Sequence, residues 1–263
     1  MGKQYNIFDV LSDMAVTLSK SKYSNKFVFR GGFTLIAALD TYGISRFFRL
    51  TKYLDLDWGA SDDWEIFLEE LPNLLTINSR LRFKYKITER RDYDQSESIR
   101  LGLSCEDTNE ILFEVGIDMS VRDTKNVVSY KIPYIDCSIS SGGVYEMICD
   151  KLKVFSISKV ASRVKDIYDL YVLSFLPDLK KDKIISLWQE IGYTIEAPIF
   201  GMVPENLGRI KKAWDMITLD YFDNKKFEDV LVRVLDFAAD LYTEFSGGRT
   251  KGNNWSIEER LWL

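Results

Sequence analysis

Two neighbouring segments set the architecture of this chain, and they read Lys26-Phe-Val-Phe-Arg30-Gly31-Gly32-Phe33-Thr34-Leu-Ile-Ala-Ala-Leu-Asp40 and Arg49-Leu-Thr51-Lys-Tyr53-Leu-Asp55-Leu-Asp57-Trp58. The first segment has a short apolar run, two glycines and a longer apolar run, which predicts a strand over residues 27–30 and a helix over residues 33–42. The second segment alternates polar and apolar residues, which predicts a strand over residues 53–58 with both carboxylates on one face.

Around these segments the first half of the chain mixes helix and strand patterns. Helices are predicted over residues 7–21 and 62–77, and strands over residues 81–87, 98–105 and 111–121, the last two joined by a turn at residues 106–109. These three strands are expected to form an antiparallel meander. The first of them has a wholly basic outer face, formed by Arg80, Arg82, Lys84 and Lys86.

The β pattern fades after Gly142 and Gly143, and helical periodicity takes over. Helices are predicted over residues 144–155, 160–175, 181–192, 204–218 and 225–245. The tail is expected to pack back through Trp255, Leu261 and Trp262. The sequence therefore predicts an α+β protein with two domains, a mixed α/β domain over residues 1–140 and a helical domain over residues 141–263.

Composition narrows the function classes. The 263 residues contain no histidine, which excludes catalytic triads and zinc sites that need imidazole, and any chemistry must use carboxylates, lysines, hydroxyls or a hard metal ion. The three cysteines are odd in number and have no C-x-x-C pair, so we expect free thiols. The absence of a signal-peptide pattern and of a membrane-length apolar run predicts a cytoplasmic protein that does not contact a membrane.

Three carboxylates are candidates for metal binding. Asp55 and Asp57 share one face of their strand, and Mg²⁺ binds one or two protein carboxylates and completes its shell with water and phosphate. Asp118 lies on a second strand whose apolar and polar residues alternate, and it could complete a site for two metal ions. The alternative is that these carboxylates lie on solvated strand faces.

The glycine pair predicts a phosphate-binding turn. Gly31 and Gly32 follow a strand and precede a helix, so that backbone N–H groups and the helix dipole would face an anion there, and Thr34 could add a hydroxyl donor. The alternative is a turn without a ligand.

A charged patch in the helical half is the remaining candidate. Arg163, Asp166 and Asp169 are spaced three residues apart beside an apolar stripe, and Lys151 lies in the preceding helix. As a functional group, Lys151 would neutralise a triphosphate and Asp166 would orient Lys151 or an incoming hydroxyl. The alternative is a surface helix with internal ion pairs.

The ordered series of strand, Gly-Gly helix, Arg-x-Thr, Asp-x-Asp, a later strand Asp, Asp-Lys-Leu and Arg-x-Lys-Asp-x-x-Asp-Leu resembles the AbiEii/AbiGii-type nucleotidyltransferase toxins of type IV toxin–antitoxin and abortive infection systems. The resemblance covers residues 26–171. It implies a polymerase-β-like fold with a mixed sheet and a helical C-terminal domain, Mg²⁺ or Mn²⁺ as the cofactor, a nucleoside triphosphate substrate, an RNA (tRNA) acceptor and a separate antitoxin protein.

Carried onto this chain, the resemblance implies three groups of site residues. The metal ligands would be Asp55, Asp57 and Asp118, the catalytic and phosphate-contacting pair Lys151 and Asp166, and the other nucleotide-binding residues Gly31, Gly32, Thr34, Thr51 and Arg163.

The chain departs from the family pattern at one place, since the family usually has its first Asp where Tyr53 stands. Either Asp55 and Asp57 form the metal pair, or Asp55 is the second ligand and the first is lost to Tyr53. Because residues 53, 55 and 57 share a strand face, both registers stay open; we favour the first.

The leading hypothesis is transfer of a nucleotide to an RNA end, with the basic strand face guiding the RNA backbone. Two alternatives remain open: a transferase that modifies a small molecule such as an aminoglycoside or a protein side chain, and a catalytically impaired relative that only binds RNA or a partner.

Overall fold

The computed structural model describes residues 5–44, 51–59, 64–93, 98–107, 110–155, 163–195, 204–221 and 225–263. Its contacts divide the chain into two units, Met1–Thr41 with Leu50–Gly142, and Tyr42–Arg49 with Gly143–Leu263. Four parts of the predictions lie outside the described residues: Arg49, the helix start at 62–63, the turn residues 108–109 and the helix start at 160–162.

The first unit contains a mixed sheet with the strand order β3-β4-β5-β2-β1-β7-β6. Pairs β1/β7 and β2/β5 are parallel and the other neighbours are antiparallel. The predicted meander is confirmed, as β3, β4 and β5 pair in sequence. The strands are β1 (Phe27–Arg30), β2 (Tyr53–Trp58), β3 (Lys84–Tyr93), β4 (Ser98–Asp107), β5 (Glu110–Val121), β6 (Val127–Lys131) and β7 (Ser138–Gly142).

Helices α1 (Ile7–Ser19), α2 (Gly31–Thr41) and α3 (Trp64–Asn78) pack on this sheet. A capping box formed by Asn6 and Asp9 fixes the start of α1. The apolar face of β2 is buried, and Trp58 contacts the rings of Phe27 and Phe67. The polar residues of β2 therefore lie on its other face.

The predicted basic strand face is wrong in position. Strand β3 begins at Lys84, and Arg82 lies in the preceding connection with a φ of 64°. Lys86 pairs with Glu106 at 2.8 Å, and the apolar Ile87 that follows it is 41% exposed. Because a positive φ breaks the strand period, the four basic residues do not form one continuous strand face.

The second unit is helical, as predicted. It contains α4 (Val144–Phe155), α5 (Val164–Leu173), α6 (Lys181–Ile191), α7 (Pro204–Tyr221) and α8 (Phe227–Phe245), with a short hairpin of β8 (Trp255–Ser256) and β9 (Leu261–Trp262). Trp255 and Trp262 are buried and donate to the carbonyls of Ser174 and Phe237, whereas Leu261, predicted to pack inward, is exposed. Within the described residues, none of the helices is long and apolar enough to cross a bilayer.

Candidate active site on the central strands

The predicted strand carboxylates lie on one face of the neighbouring strands β2 and β5. Tyr53, Asp55 and Asp57 lie on the face of β2 opposite to its buried apolar residues. In the parallel register with β5, these three residues stand opposite Gly116, Asp118 and Ser120, respectively. Asp55 and Asp118 are therefore direct neighbours on adjacent strands.

Gly31 and Asp55 are fitted to each other. Gly31 is the first residue of α2 and has a φ of 69°. A Cβ on this residue would overlap the carboxylate of Asp55 and lie 2.9 Å from its Cβ atom. The carboxylate of Asp55 thus lies against the start of α2, where the backbone N–H groups have no partner inside the helix and the dipole is positive.

Asp57 lies deeper in the sheet. Register with β1 pairs Arg30, the last residue before α2, with Asp55, and it pairs Asp57 with Val28 inside the strand. Asp57 is 4% exposed and forms a buried ion pair with Arg30. It also accepts hydrogen bonds from Thr124 at 2.8 Å and from Ser120 at 3.3 Å. Both of its oxygens are therefore used in holding the strands together.

Asp118 is held by a cation from the neighbouring strand. Arg100 of β4 stands directly opposite it and donates from Nε and Nη2 to its two oxygens, both at 2.7 Å. This pairing raises the pKa of the Arg100 guanidinium above its ordinary value, chiefly through the hydrogen bonds to Asp118. The guanidinium also lies 5.0 Å from the ring centre of Tyr53.

Tyr53 covers Gly116. A Cβ on Gly116 would lie 2.5 Å from Cε1 of the Tyr53 ring and 2.7 Å from the carbonyl oxygen of Leu101, so only glycine leaves room for the ring. Tyr53, Arg100, Gly116 and Asp118 thus form one packed group, the Arg100 cluster.

The predicted three-carboxylate metal site is not assembled. In the part of the chain that the structure describes, no group of three or more Asp, Glu, Cys or His side chains is placed to hold a metal ion. The physical reason is that Asp57 turns into the buried ion pair with Arg30. Asp55 and Asp118 are neighbours beside a helix start, and two carboxylates so placed are a donor set that fits Mg²⁺ or Mn²⁺.

Two predicted hydroxyl donors are used locally. Thr34 is fully buried and its hydroxyl donates to the carbonyl of Arg30 at 2.9 Å. The hydroxyl that was predicted to donate to a phosphate is thus used at the start of the helix. The Thr51 hydroxyl exchanges hydrogen bonds with the backbone of Tyr53, at 3.3 and 3.4 Å, and shapes the entry into β2. Gly32 is buried in the first turn of α2.

The second unit brings its predicted residues together. Lys151 of α4 pairs with Asp166 of α5, and its Nζ lies 3.0 Å from Oδ2 of Asp169. Arg163 donates to the other oxygen of Asp166 at 2.7 Å. The lysine and both carboxylates are largely buried, whereas Arg163 is exposed. This is a preorganised cationic group with two carboxylates that fix its position.

The sequence did not identify Arg30 and Arg100 as site residues, and it did not show that Asp169 contacts Lys151. Arg30 directly precedes the glycine pair, which was a usable signal. Arg100 carried none, because its partner is identified only by the pairing of β4 with β5. Asp169 was recognised as part of the charged patch, but its contact with Lys151 depends on how α4 and α5 pack.

Comparison with known proteins gives one family and one fold. The family model described as nucleotidyl transferase AbiEii toxin, type IV TA system, matches residues 13–197. Among solved structures, the chain is similar to MenT4, a nucleotidyltransferase toxin from Mycobacterium tuberculosis, with 15% sequence identity, a TM-score of 0.51 and 93% of each chain covered. At that identity the similarity shows the fold alone. No curated protein matches the chain.

Proposed function

Because the chain belongs to the AbiEii family of nucleotidyltransferase toxins of type IV toxin–antitoxin systems, we propose that it transfers a nucleotide from a nucleoside triphosphate to a hydroxyl at an RNA end, such as the 3′ end of a tRNA. The observation that carries the proposal is the placement of Asp55 against Gly31 and beside Asp118. A carboxylate pair next to a helix start is suited to a metal-bound triphosphate.

The same geometry supports one choice of register for the metal site. We assign the metal to Asp55 and Asp118, and we assign Asp57 a structural part in the buried pair with Arg30. This choice is the second of the two registers, in which Tyr53 stands where the family usually has its first carboxylate. Mg²⁺ or Mn²⁺ held by this pair would neutralise phosphate charge and activate the acceptor oxygen.

The chain's own residues would do the rest of the binding. The backbone N–H groups at the start of α2 would donate to phosphate oxygens, and the missing side chain at Gly31 lets Asp55 come close to that helix start. We propose that residues 141–263 form a helical domain. In this domain Lys151 would contact the triphosphate, and Asp166 and Asp169 would hold the ammonium group of Lys151 in place. Arg163 would add an exposed phosphate-binding group.

The family and the proposed reaction imply the partners. A cognate antitoxin is expected for a type IV toxin family, and an RNA acceptor with a nucleoside triphosphate substrate would put the activity in the cytoplasm. The acceptor, the metal dependence and the cytoplasmic location all belong to the proposal.

A direct transfer assay tests the proposal. The protein is incubated with Mg²⁺, total RNA and each α-labelled nucleoside triphosphate in turn, and label is followed into RNA and into protein. We expect label on RNA with at least one nucleotide, and loss of that label in Asp55→Asn. The matched control is Asp123→Asn, which removes an exposed carboxylate that pairs with the nearby Lys125. No transfer with any of the four nucleotides would refute the proposal.

The replacement at Tyr53 favours a second candidate, a catalytically impaired relative that binds RNA. With one family carboxylate lost, metal affinity would fall. RNA binding that persists unchanged in Asp55→Asn and Asp118→Asn, together with no transfer by the wild type, would favour this candidate over the enzyme.

A further inference from the structure

The second carboxylate of the site is already neutralised by a side chain. Arg100 donates to both oxygens of Asp118. A divalent cation that binds Asp55 and Asp118 needs at least one of those oxygens. Arg100 and the metal ion would therefore compete for the carboxylate of Asp118.

The Arg100 cluster holds the guanidinium from a second side. The ring of Tyr53 lies over the bare backbone of Gly116 and faces Arg100 at 5.0 Å. An aromatic face attracts a guanidinium by its quadrupole and by stacking. The position that usually supplies a metal-binding carboxylate in the family thus supplies a contact for a protein cation.

Exposure separates this pair from the other arginine–aspartate pair of the sheet. The side chains of Arg100 and Asp118 are 39% and 27% exposed, whereas those of Arg30 and Asp57 are 9% and 5% exposed. A partly exposed ion pair costs less to open than a buried one, because water solvates its separated charges. Arg100 can therefore leave Asp118, while Arg30 stays on Asp57.

We propose that Arg100 is an exchangeable cation of the nucleotide site: it pairs with Asp118 when no metal ion is bound, gives that carboxylate up to the divalent metal ion, and then pairs with a phosphate of the bound triphosphate. A guanidinium matches phosphate oxygens with the same two-donor geometry that it uses on Asp118. Arg100 is thus a substrate-positioning residue. The inference rests on the proposed nucleotidyltransferase function.

The first half of the test measures metal binding without nucleotide. Mn²⁺ is titrated by calorimetry or electron paramagnetic resonance into the wild type and into Arg100→Gln. Loss of the competing cation is expected to tighten Mn²⁺ binding about tenfold, the equivalent of one charge-assisted contact, and Arg100→Gln combined with Asp118→Asn is expected to abolish the gain. Equal Mn²⁺ affinity in Arg100→Gln and the wild type would overturn the inference.

The second half measures a non-hydrolysable triphosphate analogue at saturating Mn²⁺. Its affinity should fall about tenfold in Arg100→Gln, for loss of one guanidinium–phosphate pair, and recover in part in Arg100→Lys. An unchanged affinity for the analogue would overturn the phosphate contact.

Arg90→Gln is the matched control for both measurements. Arg90 binds the two oxygens of Glu65 through its guanidinium and is 40% exposed, so it resembles Arg100 in pairing and exposure but lies outside the cluster. Its replacement should change neither affinity. Failure of the proposed nucleotidyltransferase function would give a different result. If Arg100→Gln tightens Mn²⁺ binding but the wild type transfers no nucleotide, the proposed enzyme activity is rejected and the competition between Arg100 and the metal ion for Asp118 stands.

Discussion

Replacing Gly31 by alanine should disturb the site and the fold together. A side chain at the left-handed φ of 69° costs about 1–2 kcal/mol. The new Cβ would also overlap the carboxylate of Asp55. Turning that side chain away from its preferred rotamer costs about 0.5–1.5 kcal/mol more. We therefore expect Gly31→Ala to lower the free energy of unfolding by about 1.5–3.5 kcal/mol.

Gly43 offers a control that isolates the backbone contribution. Its φ is 72°, close to that of Gly31, and a Cβ there would meet no atom within 4 Å. Gly43→Ala should therefore cost only the left-handed penalty. The difference between the two variants, about 1 kcal/mol, measures the contact with Asp55.

The assay is urea denaturation of both variants, followed by far-ultraviolet circular dichroism and tryptophan fluorescence, with Mn²⁺ affinity measured on the folded proteins. Gly31→Ala should also weaken Mn²⁺ binding, because its Cβ displaces the proposed ligand Asp55, and Gly43→Ala should not. Equal destabilisation by the two alanines with unchanged Mn²⁺ binding would refute the fit between Gly31 and Asp55.

Three further changes test other parts of the account. Tyr53→Asp should strengthen Mn²⁺ binding in calorimetry, because it adds a third carboxylate beside Asp55; weaker binding would count against the register. Asp57→Ala should lower the free energy of unfolding by up to about 3–5 kcal/mol, since it takes a carboxylate partner away from the buried Arg30; a loss below about 1 kcal/mol in urea denaturation would contradict this. Burial raises the pKa of the Cys105 thiol to about 12. The unfolded chain releases this proton at lower pH than the folded chain, so the free energy of unfolding falls as pH rises from about 9 toward 12. Denaturation across that range should show a smaller decrease in the free energy of unfolding with pH in Cys105→Ala than in the wild type.

Local sequence patterns were sufficient for the elements that carry the site. In β2 the apolar residues Leu54, Leu56 and Trp58 alternate with polar ones, and the structure buries all three. Helix α4 also begins and ends where its periodicity predicts. Helix α2 begins earlier than predicted, at Gly31, because a glycine can hold a positive φ at a helix start.

Strands β6 and β7 escaped the sequence reasoning. Both have five residues; β6 lies at the edge of the sheet and β7 lies between β6 and β1, and in β6 exposed residues alternate with partly or fully buried ones. Strands this short carry a weak apolar pattern, because few of their residues meet the core.

The sequence identified the candidate carboxylates but not their partners in the sheet. Asp55 and Asp57 have the same strand parity, so the sequence could not show that one reaches the helix start while the other pairs with Arg30. The contact of Arg100 with Asp118 depends on the register of β4 against β5, which is set by the folded sheet. Charged residues far apart in sequence acquire their partners only through such long-range pairing.

The central claim is that the metal binds Asp55 and Asp118 beside the start of α2. Its most direct test is a crystal structure of the protein soaked with Mn²⁺ and a non-hydrolysable triphosphate analogue, with the metal located by anomalous scattering. We expect Mn²⁺ bound to Asp55 and Asp118, phosphate oxygens at the N-terminus of α2, and Asp57 still paired with Arg30. Mn²⁺ bound to Asp57, with Arg30 displaced, would contradict it.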